Sequence, residues 1–265
     1  MAKYKSLFKV SGDIGDVNMF QRDGQKFVRE TTSLDKKRIM TDPKFRRMRE
    51  NMMEFGGAGK VSKALRFGLA EVAKRFGDSQ LSSRLTGKFR KMVRMANGIR
   101  GQRPVEPLNN AALLQGFPLH RGISLESVLT FRLDPQVNVA RNGVSLTLTN
   151  FNPDAHLTVP AGASHYVVLL VVVGLTDHIY DGSIDGYWPV NELVSGKSMV
   201  ARSVEYSVNA LAPTTIVLNA DLPGLPTMTA NDALVTLVGV EFYTEVSSVM
   251  YVLESGNAMN VVGIY

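Results

Sequence analysis

Tyr166-Val167-Val168-Leu169-Leu170-Val171-Val172-Val173-Gly174 is the most apolar run of the chain, nine residues without a charge. A membrane-spanning helix needs about 20 such residues, so the run is too short to be one. Its β-branched content predicts a strand, and the strand must be central and buried, because an exposed edge of this kind templates aggregation. Outward from it the pattern has period two. Val144, Leu146 and Leu148 alternate with Ser145, Thr147 and Thr149. Leu234, Thr236, Val238, Val240 and Phe242 form a second run, followed by Val249, Tyr251 and Leu253. Val200, Arg202, Val204, Tyr206 and Val208 form another, and Ile216 with Leu218 a shorter one. Asn142-Gly143, Pro160-Ala161-Gly162, Asp181-Gly182 and Ser255-Gly256 supply turns. Roughly seven or eight strands with no helix between them predict an antiparallel β-sandwich, immunoglobulin-like or jelly-roll.

The first hundred residues read differently, so the fold class is α+β. Val17–Arg22 and Gln25–Glu30 flank Asp23-Gly24, and a two-residue Asp-Gly loop signals a type I′ hairpin. The loop sets the register: Phe20 faces Phe27, and Met19 faces Val28. A lone hairpin is marginal in water, so this one needs a surface to pack on. Asp42 then caps a helix with Pro43 at its first position. Phe45, Met48, Met52 and Phe55 share one helical face, and Gly56-Gly57 is read as the break. Val61, Leu65, Leu69, Val72 and Phe76 stripe a second helix ending near Gly77. Leu81, Leu85, Phe89 and Met92 stripe a third, capped by Asp78 or Ser79 and stopped at Asn97-Gly98. Residues 99–118 hold three prolines without a period and read as a connector.

Charge follows the same division. Of 265 residues, 1–104 carry 25 Lys and Arg against 10 Asp and Glu, a formal +15; 105–265 carry 5 against 14, a formal −9. The predicted organisation is therefore a basic hairpin-and-helix region, 1–104, and an acidic β-sandwich, 105–265. Such asymmetry favours an anionic partner or head-to-tail contact between copies. Forty-five per cent hydrophobic residues suffice for a real core. With no cysteine, disulfides, thiolate metal sites and a cysteine nucleophile are excluded. The first ten residues carry no signal-peptide pattern. The expectation is cytoplasmic synthesis, compatible with release as an assembled particle.

Motifs of chemistry are weak. Gly56-Gly57-Ala58-Gly59-Lys60-Val61-Ser62 mimics a phosphate loop, but Glu54 stands where its first glycine belongs and Val61 where Ser or Thr belongs. Small residues that let two helices turn tightly are the better account. The four histidines, His120, His156, His165 and His178, show no paired-ligand spacing. No serine-nucleophile motif occurs. The segment 176–189 gathers Asp177, Tyr180, Asp181, Asp185, Tyr187 and Trp188, the only tryptophan. It lacks the order of an EF-hand, and a plain loop, a protein contact and an ion or glycan site all stay open. The reading is a non-enzymatic protein with no cofactor, metal or small-molecule substrate.

The basic helices carry the strongest signal. Arg46, Arg47, Arg49, Lys60, Lys63 and Arg66 are candidate contacts for self-assembly or a polyanion, and Phe20 with Phe27 for the hairpin. Self-pairing explains both halves of the asymmetry and nucleic acid only one. The leading expectation is a homo-oligomeric building block of a ring, tube, filament or particle; nucleic-acid binding or packaging is the alternative. Residues 15–30, with 42–51, Glu54-Phe55-Gly56 and Ala58-Gly59-Lys60, resemble the opening of an uncharacterised Bacteroidota family, and 159–165 is similar to the same group. The resemblance implies a bacterial source and no particular activity.

Overall fold

The computed structural model describes residues 2–5, 10–22, 24–31, 35–222, 224–225 and 227–265. They form an α+β fold with two compact units, residues 1–49 and 50–265. The charge changes sign near 104, whereas the units meet between 49 and 50.

In the first unit, β1 (Ala2–Lys3), β2 (Gly12–Ile14), β3 (Val17–Arg22) and β4 (Gln25–Glu30) form an antiparallel sheet in the order β1-β4-β3-β2. The anticipated hairpin is its central pair. Phe20 lies opposite Phe27 and Met19 opposite Val28, and the two phenyl rings stack at 5.6 Å. Arg22 opposite Gln25 fits a two-residue loop; Asp23 of the anticipated turn lies outside the described residues. The Asp35 carboxylate caps α1 (Lys36–Thr41) by accepting from the Lys37 N–H at 3.0 Å. Asp42 caps the next helical segment, accepting from the Lys44 N–H at 2.9 Å. The first turn of that segment is 3₁₀ (Pro43–Phe45) before α2 (Arg46–Phe76) begins.

The break anticipated at Gly56-Gly57 does not occur: α2 runs through both glycines. Nor is the stripe before it a core face, since Met52 and Phe55 are half exposed. The buried face is the next one round, formed by Gly57, Ala58, Val61, Leu65, Gly68 and Leu69. Small residues on it let neighbours approach the helix axis closely, which larger side chains would prevent. Inside α2, Ala70 departs from helical geometry at φ 44°, ψ −116° and kinks the helix. α3 (Leu81–Met95) buries Leu81, Leu85, Phe89 and Met92 as its period requires.

The remaining elements are α4 (Leu125–Val128), β5 (Gln136–Val137), β6 (Gly143–Phe151), α5 (Pro153–His156), β7 (His165–Thr176), β8 (His178–Asp181), β9 (Gly186–Pro189) and β10 (Ser198–Arg202). They continue through β11 (Tyr206–Ser207), β12 (Thr214–Asp221), β13 (Asp232–Val246), β14 (Val249–Val252) and β15 (Ala258–Ile264). One antiparallel sheet runs β10-β7-β13-β14, with β11 on β7 and β15 on β13; a second runs β12-β6-β5. The apolar run at 166–174 forms most of β7, central as anticipated.

Its unbroken apolarity has a geometric cause, because successive side chains point to opposite faces of a strand. Val167, Leu169, Val171 and Val173 pack with α2 and α3 in one core. Tyr166, Val168, Leu170 and Val172 pack with Leu146, Leu148, Ile216 and Leu218 of the second sheet in the other. The main sheet is thus sandwiched between a helical layer and a second sheet. Residues 99–118 are packed rather than loose: Val105, Leu114 and Phe117 are buried in the helix-side core, and Val105 exchanges two backbone hydrogen bonds with His178.

Candidate assembly surface

The helical layer turns its apolar stripes to the sheet and several of its basic residues away. Lys63 and Lys74 on α2 and Lys91 and Arg94 on α3 are exposed; Arg66 and Arg90 are half-buried beside them. Among the described residues none of the six pairs with a carboxylate, and the Arg66 Nε is buried without a partner. Phe67 is 77% exposed among them. Burial of the apolar stripes leaves these six cations the opposite side of each helix.

Other basic residues hold the chain together. The Glu241 carboxylate, 1% exposed on β13, meets Arg75 from α2 and Arg202 from β10 at 3.0 Å, and accepts from the Tyr243 hydroxyl. This joins the helical layer to the sheet. Glu54 accepts from Arg103 Nε and Nη2, both at 2.8 Å, and from the Gly101 N–H. Burial alone would raise the Glu54 pKa, but the guanidinium and the amide outweigh it and hold the carboxyl below the usual carboxylate range. Asp78, between α2 and α3, is likewise held low: burial is overcome by the Arg121 and Gln80 amides and by Arg84. Arg84 also donates to the Pro118 and Leu119 carbonyls. The sequence carried a partial signal for one anchor, Glu241 between the apolar Val240 and Phe242, but not for its partners, and Glu54 is one of three glutamates on α2 with nothing local to single it out.

The anticipated contacts divide accordingly. Arg46, Arg47 and Arg49 belong to the first unit, where Arg49 donates to the carbonyls of Ile39 and Asp42 and serves that unit's own structure. Lys60 is also engaged: its ammonium donates to the Tyr187 carbonyl and lies 5.4 Å from the Trp188 ring centroid. Lys63 and Arg66 stay on the open basic face.

The segment 176–189 divides as well. β8 and β9 form a two-stranded ribbon pairing Ile179 with Trp188 and Tyr180 with Tyr187. Tyr187 is buried, its hydroxyl donating to the Arg103 carbonyl at 2.8 Å and its ring against Gly57. Burial pushes its phenol well above the ordinary range. Asp177 is buried too. Burial, with the Glu106 and Asp232 charges nearby, pushes its carboxyl up to about 7, and its Oδ1 has no partner among the described residues. Ile179, Asp181, Asp185 and Trp188 remain at the surface; Tyr180 donates to Asp185 at 2.7 Å, and Trp188 to Glu192. Half of this segment is therefore an internal anchor.

Acidic groups of the β-rich part lie outward. Asp134, Asp154, Glu205, Asp221 and Glu254 are exposed and have no cationic partner among the described residues. Among the described residues no three His, Asp or Glu side chains are placed to hold a metal ion, and no helix is long and apolar enough to cross a membrane. Comparison with known protein families, curated proteins and solved structures finds no match to this chain.

Proposed function

We propose that this chain is a non-enzymatic structural subunit that assembles with copies of itself, the basic outer face of α2 and α3 meeting exposed carboxylates of the β-rich part of the next copy. The observation that carries it is the sorting of charge by availability. Arg75, Arg84 and Arg103 are used internally, while Lys63, Lys74, Lys91 and Arg94 face solvent with Asp154, Glu205 and Asp221 equally unpaired. Both signs sit on one molecule, so copies complement one another without a second component. Contacts of this kind weaken as salt shortens the Debye length.

Charge reversal tests it. Lys63→Glu with Lys91→Glu lowers self-association at low salt, and Asp154→Lys with Glu205→Lys in a second preparation restores it on mixing. Unchanged association of the first variant contradicts the proposal. A second reading, nucleic-acid binding, draws on Phe67, an exposed ring among cations of the sort that stacks on bases. Retention of single-stranded RNA or DNA on filters by the unmodified chain, lost in Phe67→Ala, would favour it.

A further inference from the structure

β14 and the end of β13 form a hairpin with an exposed apolar edge. Val246, Val249, Met250, Tyr251 and Val252 are all exposed, Val249 by 50% and Tyr251 by 55%. The strand itself, Val-Met-Tyr-Val, carries no charge, and it is the last strand on its side of the sheet. Natural sheets rarely leave such an edge uncovered, because its free N–H and C=O groups template further pairing.

The free groups can be identified. The turn is Ser247-Ser248 with φ 51° and 64°, the two positive values a type I′ turn requires. It sets Val249 opposite Val246 and Tyr251 opposite Thr244, and the Leu253 N–H donates to the Phe242 carbonyl. Ladder bonds alternate along an antiparallel strand. Val249, Tyr251 and the Leu253 N–H therefore turn to β13, and the peptide groups of Met250 and Val252 turn outward, where no described residue meets them.

We propose that this edge is a two-fold self-pairing site, at which a second copy adds its own β14 antiparallel with Tyr251 opposite Tyr251 across the axis. This proposal rests on the self-assembly reading and names a contact separate from the charged one. In that register Met250 of each copy faces Val252 of the other, so their outward peptide groups form four hydrogen bonds. Val249 faces Leu253. β14 itself carries no carboxylate, so the paired strands bring no like charges face to face. Val246, Val249 and Tyr251 share one face of the hairpin, and the two copies merge these into one apolar patch. A two-fold contact of this type is self-complementary and closes on itself, which removes both edges at once. A different protein segment would have to match this uncharged, register-fixed strand; a second copy matches it by symmetry.

The chain's lack of cysteine makes single-cysteine variants unambiguous. Tyr251 sits at the non-hydrogen-bonded position on the axis, where Cα atoms lie ~4.5 Å apart, within disulfide reach. Tyr251→Cys, Met250→Cys and Leu211→Cys, the last at a fully exposed loop position, are oxidised with diamide as purified full-length chains. About 1 M NaCl shortens the Debye length to ~3 Å and removes the charged contacts. The expected result is covalent dimer from Tyr251→Cys about tenfold faster than from Leu211→Cys, with Met250→Cys between them. Equal rates for Tyr251→Cys and Leu211→Cys, with both variants melting like the parent, overturn the proposal and leave the edge to another occupant. Because the charged contacts are silent at this salt, that failure is separate from failure of the assembly reading.

Discussion

The Tyr187 ring rests on the α-carbon of Gly57, so close that a methyl group there would stand 2.7 Å from the ring carbons. A helix that carried any side chain at this position would hold the β8–β9 ribbon away from the core. The neighbouring Gly56 meets nothing within 4 Å, so two adjacent glycines of one helix have opposite reasons to be what they are.

Alanine at each position should therefore act in opposite directions. Gly56→Ala gains helix propensity and raises stability by about 0.5–1 kcal/mol. Gly57→Ala gains the same propensity but overpacks the ring, and lowers stability by a net ~1–2 kcal/mol. Urea denaturation of the two variants checks this; equal effects of one sign would contradict the packing.

Asp177 makes stability depend on pH. Its carboxyl is pushed from an ordinary 3.8 up to about 7 in the folded chain, chiefly by burial. The folded state then holds a proton that the unfolded state releases, so this group's contribution is complete below about pH 4 and is lost as pH rises toward 7. A shift of that size is worth on the order of 4 kcal/mol at most. Asp177→Asn should match the parent near pH 4 and exceed it in melting temperature near pH 8. Parallel melting curves for the two proteins across that range would refute this.

Glu241 anchors the helical layer. Glu241→Gln leaves Arg75 and Arg202 side by side without an anion. Breaking a fully buried pair costs about 3–5 kcal/mol. These arginines are 35% and 38% exposed, so the expected loss is smaller, about 2–3 kcal/mol. Arg202→Met, which leaves Arg75 in place, should cost less than Glu241→Gln. Thermal unfolding at fixed pH compares them.

Much of the fold was legible because periodicity reports burial. The Phe20–Phe27 register, the buried stripe of α3 and the central place of 166–174 followed from spacing alone. What the spacing did not reveal is which apolar stripe faces inward when two compete. Met52 and Phe55 on α2 form a fair stripe, yet the core takes the face bearing Gly57 and Ala58, because the distance to Tyr187 selects small residues and no local pattern encodes that distance. Position 104 marks a change in charge and not the division between units, because Arg75 and Glu241, 166 positions apart in sequence, close one core across it. Half of the loop at 176–189 was unreadable for a related reason: Tyr187 and Trp188 are adjacent, and strand alternation sends one inward and the other out.

Lys63, Lys91 and their neighbours carry the proposed charged contact between copies, and sedimentation velocity of the purified, nuclease-treated chain across a salt series tests that contact most directly. At tens of millimolar salt the expected species are larger than a dimer and dissociate as salt approaches about 1 M and the Debye length falls to ~3 Å. A size distribution that salt leaves unchanged, whether monomeric or assembled, would contradict it.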